Sequence, residues 1–174
     1  MKKIIILIIL LSMIITIPKE NNKTIYTKYK TKITNMKILN IDDNIGFIKI
    51  DKIHLNNKLY NIDNKKNNVE ENVTILKEST FPYEKDSTLI LAAHSGRGKI
   101  AYFNELDKLE KNDLIDINLY NKDYQYIVEN KWEELKNGTI RFPISNEKQL
   151  ILTTCSTKNK NNQLIIYSTL KKSS

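Results

Sequence analysis

Several residue types that carry structure or chemistry in proteins are scarce in this chain of 174 residues. A single cysteine excludes an internal disulfide framework and any metal site built from cysteine pairs. Four glycines and three prolines exclude collagen-like and linker-like material. Hydrophobic residues make up 40% and charged residues 28%, so the chain is neither a disordered polyelectrolyte nor a polytopic membrane protein. The length therefore fits one domain together with a tail or an anchor.

Positive charge is what the chain has in excess. The net charge of +8 favours anionic neighbours such as nucleic acid, anionic lipid or an acidic wall polymer. The basic residues are spread along the chain, and only two of them, Arg97 and Arg141, are arginines. Neither interleaved aromatic residues nor a nucleic-acid-reading motif accompanies the charge. We therefore predict that nucleic acid is not a partner.

The N-terminus has the pattern of an export signal. Lys2 and Lys3 precede an apolar run, Ile4–Ile17, that is interrupted only by Ser12 and Thr16. As a helix the run spans about 21 Å, which is short of the roughly 30 Å hydrocarbon core, but flanking lysines can cover part of the gap. A removed signal peptide is the alternative, although the run ends without a small-residue cleavage pattern. We predict a single-pass membrane anchor over residues 1–18, with the rest of the chain outside the cell.

The remainder divides into a polar stalk over residues 19–42 and a domain over residues 43–174. Short β-branched and apolar runs fill the domain and predict strands. These runs are 46–50, 53–55, 59–62, 73–76, 89–93, 114–119, 124–128, 149–153 and 164–167. Helical spacing of apolar residues around 102–109 predicts one short helix. Eight or so short strands with one or two small helices predict a mainly β fold, a closed or nearly closed barrel.

Two chemically active side chains stand at the ends of predicted strands. Cys155 follows the run Gln149–Thr153, and His94 follows the run Leu89–Ala93. A lone cysteine is commonly a buried structural residue, but an imidazolium nearby would favour a nucleophilic thiolate. If the two strands are parallel neighbours, both side chains emerge at one rim and suit acyl transfer. The second histidine, His54, has no comparable setting and is interpreted as structural or solvent-facing.

Three segments, in order, resemble one family. Leu152-Thr153-Thr154-Cys155 fits the Leu-x-Thr-Cys signature of the sortases, the cell-wall transpeptidases of Gram-positive bacteria. Ala93-His94, followed by the stretch from Tyr102 to Ile115, is similar to the sortase histidine segment, with Asn112 at the usual glycine. Residues 45–60 look like the first two sortase strands. The resemblance covers about residues 45–170 and lies behind the predicted anchor.

The resemblance implies an eight-stranded sortase-type barrel and a defined reaction. Cys155 would attack a secreted protein at a C-terminal sorting motif of the Leu-Pro-x-Thr-Gly kind and form a thioacyl enzyme, with His94 as acid and then base. An amine of a cell-wall precursor or a pilin would release the product. The chemistry needs neither cofactor nor metal. Some sortases bind calcium, but Glu70 and Glu71 are interpreted as a solvated charge pair.

One position departs from the sortase pattern. Sortases carry an arginine at the start of the strand after the cysteine loop, and the matching residue here is Gln163. Either Gln163 serves as a neutral donor, or Arg97 or Arg141 reaches the site from another loop, or the protein is a weak or inactive relative that acts as an extracellular binding module. Substrate contacts are assigned to Thr153, Thr154, Arg97 and Arg141. Trp132 lies in the region that shapes the sortase substrate groove, although a plain core or surface role fits equally well.

Overall fold

The structure, a computed structural model, describes residues 43–171. The predicted anchor over residues 1–18 and the stalk over residues 19–42 lie outside the described residues. Between residues 43 and 171, no helix combines the length and the apolar composition that crossing a bilayer requires.

The described domain is mainly β, as predicted, and it contains eight strands. They are β1 (Asn44–Ile50), β2 (Leu55–Tyr60), β3 (Thr74–Ile75), β4 (Thr88–Ala92), β5 (Leu114–Leu119), β6 (Lys122–Leu135), β7 (Gln149–Cys155) and β8 (Asn162–Leu170). Two single 3₁₀ turns, Asp51–Ile53 and Leu106–Lys108, are the helical elements of residues 43–171. The second of them occupies the place of the predicted short helix.

All eight strands belong to one sheet, which curls into a nearly closed barrel. Their order is β2-β1-β5-β6-β8-β7-β4-β3, so that β2 and β3 lie at the two edges. Every neighbouring pair is antiparallel except β4 and β7, which are parallel. Parallel neighbours place their carboxyl ends at the same rim. The ends of β4 and β7 are the positions of the two chemically active side chains.

Apolar side chains cover both faces of the sheet around β4, β7 and β8. The main core fills the barrel interior with residues from every strand, and a smaller cluster lies on the opposite face. That outer cluster is formed by Ile90, Ile151 and Ile165, over which Trp132, Ile140 and Phe142 pack. Because both faces are buried, β4 and β7 read in the sequence as continuous apolar runs instead of alternating ones.

Strand β6 is longer than its sequence pattern predicts. The predicted run ended at Val128, whereas β6 continues to Leu135 and pairs with β8 up to Asn162. The pairing is interrupted by a bulge between Val128 and Asn130. Beyond the bulge the residues are polar and partly exposed, so they lack the apolar alternation that marks a strand. Their backbone hydrogen bonds to β8 make them a strand nevertheless.

The first strands also differ slightly from prediction. Of the residues expected to form a strand at 53–55, Ile53 and His54 instead complete a 3₁₀ turn, and β2 begins at Leu55. His54 ends this turn in the left-handed conformation with a φ of 51°, and its side chain is exposed. The interpretation of His54 as a structural or solvent-facing residue is therefore confirmed.

At Gly46 the backbone of neighbouring strands leaves no space for a side chain. It lies in β1 opposite Leu59 of β2 and Leu119 of β5, and a Cβ atom there would overlap the backbone carbonyl oxygen of Asn118. We expect Gly46→Ala to lower the free energy of unfolding by about 1–3 kcal/mol, the usual cost of overpacking. Urea denaturation would measure it, with exposed Lys122→Ala as the control within about 0.5 kcal/mol of wild type. Equal stability of the two variants would contradict the packing argument.

Candidate active site

The parallel pair of β4 and β7 sets the relative position of His94 and Cys155. Ile90 lies opposite Ile151 and Ala92 opposite Thr153, so the same register continued by two residues places His94 beside Cys155. Side chains two residues apart along a strand share a face. His94 and Cys155 therefore emerge at one rim on the outer face of the sheet, as the sequence predicted for two parallel neighbours.

Three hydrogen bonds extend this pairing beyond the end of β4. The Ala93 amide donates to the Thr153 carbonyl at 3.4 Å, and the buried Thr154 hydroxyl donates to the Ala93 carbonyl at 2.7 Å. The Ser95 hydroxyl donates to the Cys155 carbonyl at 2.6 Å. These bonds flank His94 on both sides along the chain. They hold the backbone of His94 against that of Cys155, although His94 lies beyond the last residue of β4.

A carboxylate orients the His94 ring. Nε2 of His94 lies 3.2 Å from Oε1 of Glu70, and the His94 side chain is about one third exposed, at 36%. A carboxylate has no hydrogen to donate, so the shared hydrogen belongs to Nε2 and the neutral ring keeps Nδ1 as its acceptor. The arrangement is that of a base held by a third group.

The Cys155 thiol is exposed and lies next to a lysine ammonium. Nζ of Lys136 is 3.7 Å from Sγ of Cys155. Lys136 directly follows β6, and its backbone amide donates to the carbonyl of Asn161 at 2.8 Å in the loop between β7 and β8. The lysine backbone is thus fixed by the strand that separates it from Cys155. The ammonium is therefore a hydrogen-bond partner of the sulfur.

Gln163, at the usual arginine position, is directly opposite Cys155 in the register of β7 and β8. Its side chain is turned into the protein, and the residue is only 8% exposed. Nε2 donates to Oε1 of Glu134 at 2.9 Å and to the carbonyl of Thr139 at 2.6 Å. An amide group has two hydrogens, so both are committed to these partners. Gln163 thereby ties the segment after β6 to the sheet.

The two arginines occupy different surroundings. The backbone amide of Arg141 donates to Glu134 at 3.1 Å, and its guanidinium lies 3.9 Å from the same carboxylate, with the side chain 71% exposed. Arg97 lies in the exposed loop after His94, and within residues 43–171 its side chain has neither a hydrogen bond nor an ion pair. Thr153 is buried and lies on the same face as Cys155. Thr154 faces the opposite way, with its hydroxyl bound to Ala93.

Two residues of the site escaped sequence reasoning. Glu70 and Glu71 are exposed, as the interpretation of a solvated charge pair expects, but Glu70 also contacts His94. The carbonyl of its neighbour Glu71 accepts a hydrogen bond from the Tyr102 hydroxyl. Lys136 carried no signal at all, because lysine is abundant throughout the chain. Between residues 43 and 171, histidine, cysteine and carboxylate side chains form no group of three or more that could hold a metal ion.

Comparison with known proteins identifies the family of the chain. Residues 48–171 match the model of the Sortase domain family. The chain belongs to the sortase family. The resemblance drawn from the cysteine and histidine segments is thereby confirmed. Members of this family are generally cysteine transpeptidases, and Cys155 is the one cysteine of this chain. No protein with a curated description matches the chain.

Solved sortase structures have the same fold. Sortase C1 from Streptococcus agalactiae is 23% identical, with a TM-score of 0.66 over 78% of this chain and 72% of that one. Sortase C from Streptococcus pneumoniae is 18% identical, with a TM-score of 0.67 over 79% and 73% of the two chains. A lid mutant of sortase A from Corynebacterium diphtheriae is 20% identical, with a TM-score of 0.65 over 75% and 71%. At these identities the likeness establishes the barrel.

Proposed function

We propose that this sortase is a cysteine transpeptidase that cleaves a C-terminal sorting motif of the Leu-Pro-x-Thr-Gly kind and joins the protein to an amine. The observation that supports it most strongly is the parallel pairing of β4 and β7, which sets His94 and Cys155 side by side at one rim. The exposure of the thiol gives a peptide access to it. The acceptor amine would come from a cell-wall precursor or a pilin.

In the first half of the reaction, the Cys155 thiolate attacks the threonine carbonyl carbon of the motif. A sulfur–carbon bond forms and the carbonyl oxygen takes up the negative charge. When the intermediate collapses, the threonine–glycine bond breaks and His94 gives its proton to the leaving amine. The Glu70 carboxylate holds Nε2 of the ring, which leaves the proton on Nδ1 for that transfer. The product is a thioester on Cys155.

In the second half, the acceptor amine attacks the thioester carbonyl. Neutral His94 removes a proton from the amine as the carbon–nitrogen bond forms. The thiolate leaves, and the new amide departs with the acceptor. The enzyme returns to its starting state without any external oxidant or cofactor, since each proton taken up by the imidazole is given back.

We further propose that residues 1–18 anchor the protein in the cell membrane, with residues 43–174 outside. The support is the basic start followed by an apolar run in the sequence. Such an anchor would keep the site near secreted proteins that are still held at the membrane and near wall precursors. Protease accessibility of the domain on intact cells would test this topology.

The decisive experiment for the function is to detect the thioacyl enzyme. The full chain in detergent is incubated with a library of sorting-motif peptides, and intact-protein mass spectrometry measures the adduct. We expect one motif class to add its N-terminal fragment to the protein, and an added amine to remove it. Absence of any adduct across the library would contradict the proposed function.

One observation supports a second candidate, a sortase-fold binding module without activity. Both amide hydrogens of Gln163 are committed to Glu134 and Thr139, so this residue offers no free donor where sortases have a charged one. A binding module would retain a sorting peptide without forming an adduct. Equilibrium binding measured beside the adduct assay therefore separates the two functions.

Gln163→Ala distinguishes a donor from a positioning residue. If the Gln163 amide serves the oxyanion, kcat/KM should fall about 10- to 1000-fold without loss of stability. Because its hydrogens are already used, we expect instead a free energy of unfolding lower by about 1–3 kcal/mol, from two lost hydrogen bonds, and a fall in kcat/KM below about 10-fold. Asn162→Ala, whose exposed amide reaches Glu133 at 3.3 Å, is the control for denaturation and kinetics.

A further inference from the structure

The site has a cation at a position that the quoted sortase motifs do not include. Sortases are expected to carry an arginine at the position of Gln163, and the glutamine side chain found here is neutral. The nearest positive charge given to Cys155 by the structure is the ammonium of Lys136, 3.7 Å from Sγ. It comes from the end of β6, two strands away from Cys155 and across β8.

The strand geometry explains why Lys136 reaches the thiol. Glu134 lies opposite Gln163, and Gln163 lies opposite Cys155, so these three side chains share the outer face of the sheet. Lys136 is two residues beyond Glu134 and therefore projects on the same side. The bond from its amide to the Asn161 carbonyl continues the β6–β8 pairing through this residue. Its position is a consequence of the ladder and of the length of β6.

The carboxylate nearest to Lys136 in sequence does not neutralise it. The Glu134 side chain is only 11% exposed and is engaged by the Gln163 amide and by Arg141. Lys136 itself forms no ion pair with a carboxylate within residues 43–171. Its ammonium is thus available to the sulfur.

Other charged groups around the sulfur belong to three further segments. His94 follows β4, and Glu70 pairs with it from the loop before β3. Lys158 and Lys160 lie in the exposed loop that follows Cys155. The structure gives none of these four side chains a contact with Sγ, whereas it gives one to Lys136.

We propose that Lys136 supplies the fixed positive charge that Gln163 lacks, first beside the Cys155 thiolate and then beside the oxyanion of the tetrahedral intermediate. The oxygen that becomes the oxyanion is two bonds from Sγ, so an ammonium that contacts the sulfur is within reach of it. Charged donors at such a position act in the transition state more than in the ground state. The inference rests on the proposed cysteine nucleophile and assigns the charge that Gln163 lacks.

A charge series at position 136 tests the contact with the thiol independently of substrate. The full chain in detergent is labelled with iodoacetamide, a neutral reagent that the charge does not steer, and the rate is followed at pH 7 by mass spectrometry. Cys155 is the one thiol of the chain, so the signal is unambiguous. We expect Lys136→Met to react roughly 2- to 5-fold more slowly, Lys136→Glu more slowly still, and Lys136→Arg near wild type. Raised salt should reduce these differences.

The matched control removes the same charge from a nearby loop. Lys160→Met should be labelled at the wild-type rate, since Lys160 does not contact the sulfur. The proposal is overturned if Lys136→Met reacts like wild type, if Lys136→Arg is as slow as Lys136→Met, or if Lys160→Met is slowed equally. The first result would show that the contact with Lys136 does not affect the reactivity of the thiol. The second would show that the positive charge is not the cause. The third would show that any lysine near the loop has the same effect on the labelling rate.

The oxyanion part has its own measurement with the sorting peptide. We expect Lys136→Met to lower kcat/KM on the order of 100-fold, with Lys136→Arg recovering most of it and KM little changed. A normal kcat/KM in Lys136→Met would overturn this part. If wild type forms no adduct with any peptide while the labelling series holds, the proposed function fails and the assignment of Lys136 to the thiol remains. If adducts form but the labelling rate does not depend on the residue at position 136, the proposed function stands and the assignment of Lys136 to the thiol fails.

Discussion

Cys155→Ala should abolish the thioacyl adduct completely and leave the fold intact. The chain has no second thiol that could replace the nucleophile, and alanine cannot form the sulfur–carbon bond. The side chain is exposed, so its loss removes little packing, and the free energy of unfolding should change by less than about 0.5 kcal/mol. Intact-protein mass spectrometry measures the adduct, and urea denaturation measures the stability.

The control for this variant is Thr157→Ala, two residues further along, in the exposed loop after β7. It should retain both the adduct and the stability. Thioacyl formation by Cys155→Ala would refute the nucleophile assignment. A large loss of stability in Cys155→Ala would instead mean that the residue helps to hold β7 against β8, and the lost adduct would then say nothing about chemistry.

His94→Asn should reduce the rate of thioacyl formation by about 100- to 10,000-fold, the usual contribution of a positioned acid or base. Asparagine fits in the space of the ring, but it cannot deliver a proton to the leaving amine. The three hydrogen bonds that hold this backbone come from residues 93, 95, 153, 154 and 155, so the fold should persist. Single-turnover kinetics with the sorting peptide measure the rate, and circular dichroism measures the fold.

The second histidine provides a matched control. His54→Asn makes the same chemical change at an exposed turn, where asparagine tolerates the left-handed backbone that His54 adopts. It should react at the wild-type rate. Equal losses in the two variants would point to a general effect of removing a histidine, and an unchanged rate in His94→Asn would exclude His94 as the acid.

Strands buried on both faces were the easiest part of the fold to predict. The runs that became β4 and β7 are continuously apolar, and each ends in a polar loop, so both the strands and the exposed positions of His94 and Cys155 follow from the sequence. The sequence does not determine whether these two strands are parallel neighbours. The structure supplies this pairing through the register of Ile90 with Ile151 and of Ala92 with Thr153.

Residues that matter through long-range pairing were invisible in the sequence. The second half of β6 is polar and partly exposed, so it lacks the apolar alternation that predicts a strand. It nevertheless carries Glu134 and leads into Lys136. Lys136 is one of 28 basic residues and has no local pattern that sets it apart. Glu70 reaches His94 from 24 residues away in sequence, and only the loop geometry shows it. Residue type and spacing do not encode such contacts.

The parallel β4–β7 pair also has a consequence for how the protein matures. The hydrogen bonds that lock His94 to Cys155 join residues 60 and 61 positions apart in the chain. Contacts between such distant segments form late, because the intervening chain must first be ordered. A chain still emerging or refolding would therefore carry an ordinary, unassisted thiol. The contacts of Cys155 with its neighbours would appear only on completion of the barrel, so the rate of thiol labelling in a refolding chain would report native assembly.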